Sequence, residues 1–164
     1  MSLGFGRALT CAIRDTGPVD GPPPAAVDIR LAAGEDIDVV MALEAANERH
    51  HYGAPIFWPL LHVTAPAARA YHVDLLQEPD ANAHFVAYRE GRPAGMNTFN
   101  PPDWLSPLVL GVPTIYLYQG VVEADERGTG VGTALLARGM TWARDRGYAR
   151  CALHFASANP SGVP

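Results

Sequence analysis

The hexapeptide Arg127-Gly128-Thr129-Gly130-Val131-Gly132 carries the residue types that hold an anion. Behind it Val131, Leu135 and Trp142 recur at helical spacing, with Ala134 and Ala137 beside them, so the glycines open a helix. A glycine inside a helix costs about 0.8–1 kcal/mol relative to Ala. What it provides is bare backbone: a bulky anion can reach the unpaired N–H groups of the first turn, where the helix dipole also favours negative charge. A tight turn into a glycine-rich helix would have the same composition. The Arg, the alternate glycines and an apolar strand pattern upstream (Ile115 to Val122) together favour phosphate. Lys-Ser/Thr does not follow the last glycine, so this is not a nucleoside triphosphate loop, and the Gly-x-Gly-x-Gly spacing is not the dinucleotide fingerprint.

The pattern Arg127-x-x-Gly130-x-Gly132, between a strand and a helix, resembles the acyl-CoA signature of the GNAT superfamily of N-acyltransferases. The resemblance runs from Val27 to Asn159 and is carried by Tyr116 to Leu136. It implies acetyl-CoA as cosubstrate, with its pyrophosphate on the backbone of Gly128, Thr129, Gly130, Val131, Gly132 and Thr133. The Thr129 and Thr133 hydroxyls are further donors to it, and Arg127 either pairs with phosphate or salt-bridges to Asp125 or Glu126. In the family the strand before the loop is bulged and splays from the next strand, opening a slot for the pantetheine arm. Gly120 interrupts that strand here, which points to a bulge or a close backbone approach, and the matching position is Val122, with Val121 beside it. Their N–H groups would stabilise the developing oxyanion. Asn159 matches the family's Asn after the fifth strand, which contacts the pantetheine region.

The implied reaction moves an acetyl group from acetyl-CoA to a primary amine of a small molecule or peptide by direct attack. The amine must first lose its ammonium proton, and Tyr116, Tyr118 and Gln119 on the strand are open candidates for that work. Glu123 lies nearer the loop, on the solvent side. Glu44, Glu48, His51, Tyr52, Phe57 and Trp58 match the border of the family's acceptor pocket, although the aromatics would serve equally as core. The family's general acid is often a Tyr on a helix that this chain does not reach, so no acid is assigned. A non-catalytic module of the same fold, binding CoA or a protein partner, is the alternative.

The elements that must position these residues read β-α-α-β-β-β-α-β. Val27–Leu31 is a strand, Ile37–His50 a helix, and Thr64-Ala65-Pro66 caps a second helix running to Gln77. Strands at 84–88 and 93–99 flank the turn Glu90-Gly91. The strand at 114–123, the glycine-loop helix ending at Arg146-Gly147 and a strand at 148–156 complete the order. The expected fold is α+β: a GNAT-like mixed sheet flanked by helices, with the C-terminal part truncated. Residues 27–164 form the acyltransferase domain and 1–26 an N-terminal arm with a Pro/Gly-rich linker. The opening Leu3-Gly4-Phe5-Gly6 and the apolar run to Ile13 look like the Gly-Phe pair and final strand that the C-terminus lacks. Residues 4–13 are therefore expected as a strand beside 148–156, in the same subunit or in a homodimer, or as the tail of a preceding similar domain.

A net charge of −5 does not favour a nucleic-acid partner and suits a cationic acceptor. No apolar run spans a membrane and no signal peptide is visible, so the cytoplasm is the expected location. Cys11 and Cys151 make no disulfide framework, and Cys151 reads as a small buried hydrophobe. The six histidines show no i, i+4 ligand pair with a third ligand, and no metal is expected.

Overall fold

The computed structural model describes residues 9–20, 26–53, 65–102 and 111–159. Six strands form one mixed sheet in the order β1-β6-β5-β4-β3-β2. They are β1 (Leu9–Asp15), β2 (Asp28–Leu31), β3 (Ala83–Arg89), β4 (Arg92–Asn100), β5 (Thr114–Val122) and β6 (Arg150–Ala156). Every neighbouring pair is antiparallel except β5–β6, which is parallel. The helices are α1 (Ile37–Tyr52), α2 (Ala65–Gln77) and α3 (Val131–Asp145). Expectation and observation agree on the eight elements from residue 27 onward, with ends shifted by up to two residues. Thr64 and the aromatic segment containing Phe57 and Trp58 lie outside the described residues.

Strand alternation divides the core between the two faces of the sheet. Phe85, Ala87, Phe99 and Ile115 pack with Val131, Leu135, Met140 and Trp142 of α3. Val86, Met96 and Val121 pack with Val40, Leu43 and Ala46 of α1. α3 therefore covers one face and α1 the other, with α2 beside α1. Local signals fix the ends. The Glu90-Gly91 turn has positive φ at both residues, 50° and 76°, as a two-residue hairpin requires. Gly147 at φ 81° ends α3, and the Tyr148 N–H returns to the Ala143 carbonyl.

Two features of β5 set the shape of the sheet around its C-terminal half. Gln119 lies opposite Thr98, but Leu117 lies opposite Phe99, so Tyr118 is an extra residue: the bulge is there and not at Gly120. Gly120 instead accommodates a neighbour, because a Cβ at that position would sit 3.1 Å from Asn97 Oδ1. Secondly, β5 pairs with β6 only over Thr114–Tyr116, opposite Arg150–Ala152. Beyond Tyr116, β5 continues along β4 while β6 continues along β1, and a gap opens between them.

β1 runs antiparallel to β6 through seven residue pairs, from Leu9↔Ala156 to Asp15↔Arg150, within the one chain. It starts and ends later than the expected 4–13, and residues 1–8 lie outside the description. Buried Thr16 fixes its end: its N–H donates to Ala149 O, its hydroxyl to Tyr148 O, and Arg144 donates to its carbonyl. Deleting residues 1–14 is expected to lower the melting temperature, because the edge of β6 loses its ladder. An unchanged melting temperature would show that β1 adds nothing to stability.

Candidate functional site

The loop from Glu123 to Gly130 turns β5 into α3. A 3-10 turn covers Ala124–Glu126, and Gly128 and Gly130 follow with φ of 77° and 92°. Only glycine adopts that backbone without strain, so the conformation itself explains two of the three glycines. Gly132 is different. It is exposed on the first turn of α3, its φ is not positive, and a Cβ there would touch only Val122 Cγ2 at an ordinary 3.5 Å. Neither turn geometry nor packing needs a glycine at that place. The helix N-cap, Gly130, has no side chain, and no side chain caps the first turn. The Ala134 N–H is the first to bond within the helix, to Gly130 O, so the N–H groups of Val131, Gly132 and Thr133 precede the ladder.

The charges around the loop are sorted. Glu126 pairs with Arg89 of β3 at 2.8 Å, both largely buried, and Arg89 also donates to Thr129 Oγ1. Thr129 donates its hydroxyl proton to Glu126 O at 2.7 Å, which braces the loop from within. Arg127 is exposed and donates through Nε to Val122 O at 3.2 Å. Among the described residues it makes no ion pair with Asp125 or Glu126, so the salt-bridge option for Arg127 is not taken.

The gap lies alongside. The Glu123 N–H donates to Ala94 O of β4. An antiparallel ladder alternates, so the N–H groups of Val121 and Gln119 also face β4, whereas those of Gly120 and Val122 face away from it, toward the gap. Arg127 on Val122 O agrees with that direction. Of the expected pair, Val122 turns to the gap and Val121 does not.

On the α1 face, Tyr116 is buried at the vertex of the gap, and its hydroxyl bonds to Nδ1 of His154 on β6. Burial lowers the His154 pKa, which favours its neutral imidazole. The bulge lets Tyr118 and Gln119 both reach this face. Exposed Tyr118 meets Tyr71 of α2, ring centroids 5.5 Å apart, and buried Gln119 donates its amide to Glu44 of α1. Glu44 also faces His72 of α2, which bonds to His84 of β3. Burial, and secondarily His72, pushes the His84 pKa down to about 3. Asn159 is buried behind β6 and bonds to Nε2 of His50 at the end of α1.

The structure thus gathers Arg127, Gly128, Thr129, Gly130, Val131, Gly132 and Thr133 at the loop, and Tyr116, Tyr118 and Gln119 on the opposite-face side of the same strand. Arg89, His72, His84 and His154 were not singled out from the sequence, because their neighbours come from other elements. Cys151 is buried as expected, its thiol pushed up to about 12 by burial. Among the described residues no group of three or more His, Cys, Asp or Glu is arranged to hold a metal, and no helix is long and apolar enough to cross a membrane.

A strand that parts from its neighbour, followed by a glycine loop and an uncapped helix, defines a class of fold. The profile of the Acetyltransferase (GNAT) family matches residues 46–163, and the chain belongs to that family. No curated protein matches. Among solved structures, the PaiA N-acetyltransferase of Thermoplasma acidophilum in complex with coenzyme A superposes with a TM-score of 0.67 at 11% identity, over 84% of each chain. The aminoglycoside N-acetyltransferase AAC(6')-Iy in complex with CoA gives 0.66 at 21% identity, over 85% of this chain and 83% of that one. The ribosomal-protein-alanine N-acetyltransferase of Brucella melitensis biovar Abortus 2308 gives 0.55 at 23% identity, over 78% and 79%. At these identities the likeness is one of fold.

Proposed function

We propose that the chain transfers an acetyl group from acetyl-CoA to a primary amine of a small molecule or peptide. The carrying observation is Gly132, a helix-opening glycine with room for a side chain, beside N–H groups that nothing in the described chain caps. The pyrophosphate would lie on the N–H groups of Val131, Gly132 and Thr133, with Arg127 free to swing to it. The pantetheine would follow the gap, where the Gly120 and Val122 N–H groups point. The thioester supplies an activated acyl group. The chain's own part is to aim those N–H groups at its carbonyl oxygen, where negative charge develops, and to keep the amine on the α1 face near Tyr116, Tyr118 and Gln119.

The test is thermal melting with CoA, acetyl-CoA and ATP, followed by thiol release on a panel of amines. A hundredfold excess of CoA over Kd stabilises by about 2.7 kcal/mol, a rise of roughly 5–10 °C for a chain of this size. ATP should give much less. The chain contains no lysine, so its own side chains do not compete as acceptors. No shift with CoA would sink the reading. Binding without turnover of any amine would leave a CoA-binding module.

A further inference from the structure

The face of the sheet away from the glycine-loop helix holds a chain of polar side chains drawn from four elements. Gln119 Nε2 donates to Glu44 Oε2. His72 Nε2 lies 3.5 Å from that same oxygen, and His72 Nδ1 lies 3.0 Å from His84 Nε2. The histidines are 2% and 1% exposed, and among the described residues His84 Nδ1 has no hydrogen-bond partner. These facts assign the protons. A neutral imidazole carries one N–H. If His84 carried it on Nδ1, a buried donor would be stranded. His72 would then have to donate from Nδ1, and would either turn a bare lone pair toward the Glu44 carboxylate or become a buried cation. With the proton on His84 Nε2, neither arises. His84 donates to His72 Nδ1, and the His72 Nε2–H is left facing Glu44 Oε2 at 3.5 Å. Burial keeps His84 in that neutral form.

Glu44 thus accepts from the Gln119 amide and has the His72 Nε2–H facing it at 3.5 Å, while its side chain stays 18% exposed. Among the described residues no Arg pairs with it. A partly buried anion without a cation calls for one. Tyr71 and Tyr118, which precede its neighbours His72 and Gln119 in sequence, meet with ring centroids 5.5 Å apart and remain partly exposed, a surface suited to an organic cation.

Resting on the acyl-transfer reading, we propose that Glu44 is the catalytic residue that binds the acceptor's ammonium group and takes its proton, with His72 and His84 as positioning residues. The ammonium gives one proton to Glu44, and the freed lone pair bonds to the thioester carbonyl carbon. The carbon–sulfur bond breaks, its electron pair stays on sulfur, and the second proton of the amine passes to that sulfur. Products are the amide and the thiol, and Glu44 releases its proton to water.

The test compares a primary alkylamine, cationic at neutral pH, with its β-trifluoro analogue, which is neutral there. Glu44→Gln should cut kcat on the alkylamine by about 10²–10⁴-fold, the range of general-base loss. It should spare the trifluoro analogue and keep the CoA melting shift. His72→Gln, whose amide can still turn an N–H toward Glu44, should retain more activity than His72→Phe. Equal losses on both amines, or no loss, would overturn the proposal. Parent protein that binds CoA yet acylates neither amine would remove the acyl-transfer reading and this one with it. An unaffected Glu44→Gln variant would remove this one alone. A readout independent of turnover is the 15N NMR of the parent's histidines: Nε2–H is expected for both His72 and His84, and an Nδ1–H on His84 would refute the proton assignment.

Discussion

Gly132→Asp is expected to leave the unliganded protein as stable as before, or more so, and to erase its stabilisation by CoA. The two halves have opposite signs and one cause. Gly132 is exposed at the second position of α3, with room for a Cβ 3.5 Å from Val122 Cγ2. Replacing a helical glycine there recovers a few tenths of a kcal/mol in propensity, and a carboxylate in the first turn adds about 0.3–1 kcal/mol through the dipole. The same carboxylate occupies the N–H groups proposed for the pyrophosphate and repels it. Melting curves with and without CoA check both halves. The equivalent change at Gly130 would be harder to read, because its φ of 92° strains any side chain before a ligand is considered. Undiminished CoA affinity in Gly132→Asp would place the phosphate elsewhere.

Gly139→Ala is expected to destabilise, although exposed helix positions gain from that change. Gly139 lies in the middle of α3, and a Cβ there would fall 2.2 Å from Phe99 Cζ and 2.3 Å from Cε2. The Phe99 ring cannot yield freely, being fully buried against Phe85 and Trp142, with centroids 6.3 Å away in each case. Overpacking costs about 1–3 kcal/mol, and a contact this short belongs at the upper end. Helix propensity returns about 1 kcal/mol. The net is about 2 kcal/mol, or roughly 4–8 °C in melting temperature. In a Phe99→Leu background the alanine should be nearly neutral, and the double-mutant cycle reports that coupling. A rise in melting temperature on the wild-type background would contradict the close approach. Because α3 carries the glycine loop at its start, any outward shift of the helix also moves those N–H groups relative to the gap.

Most of what could be read from the sequence was local; the N-terminal strand beside β6 is the long-range exception, and it came through the resemblance. The glycine loop, the Glu90-Gly91 hairpin and the Arg146-Gly147 stop each lie within a few residues, and their signals are backbone requirements written in residue types. The splayed strand was also legible, through the resemblance. A glycine in a strand has two meanings, a bulge or a close approach, and Gly120 has the second: it makes way for the Asn97 side chain while Tyr118 is the extra residue. Glu44 was legible through the resemblance as a residue of the acceptor side, but its link to His72 and His84 gave no signal. The three are 28 and 12 residues apart on α1, α2 and β3, and no helical or strand period joins them. Gly139 was likewise unremarked, since its reason is a ring 40 residues away.

The ladder between β1 and β6 joins residues that are 147 apart at one end (156 − 9) and 135 apart at the other (150 − 15). No other strand pair in the sheet spans so much chain: β3 and β4 meet through a two-residue turn, and β4 and β5 are joined by residues 101–113. Closing a long loop is slow because its entropy is lost before its contacts reward it. Folding is therefore expected to proceed from the β3–β4–β5 side outward, with β1 arriving after the rest of the sheet. The reverse route is the cheapest partial unfolding of the sheet. Amide exchange along β6 is then expected to follow detachment of β1, so that the far wall of the gap takes its final place with the strand expected to dock last.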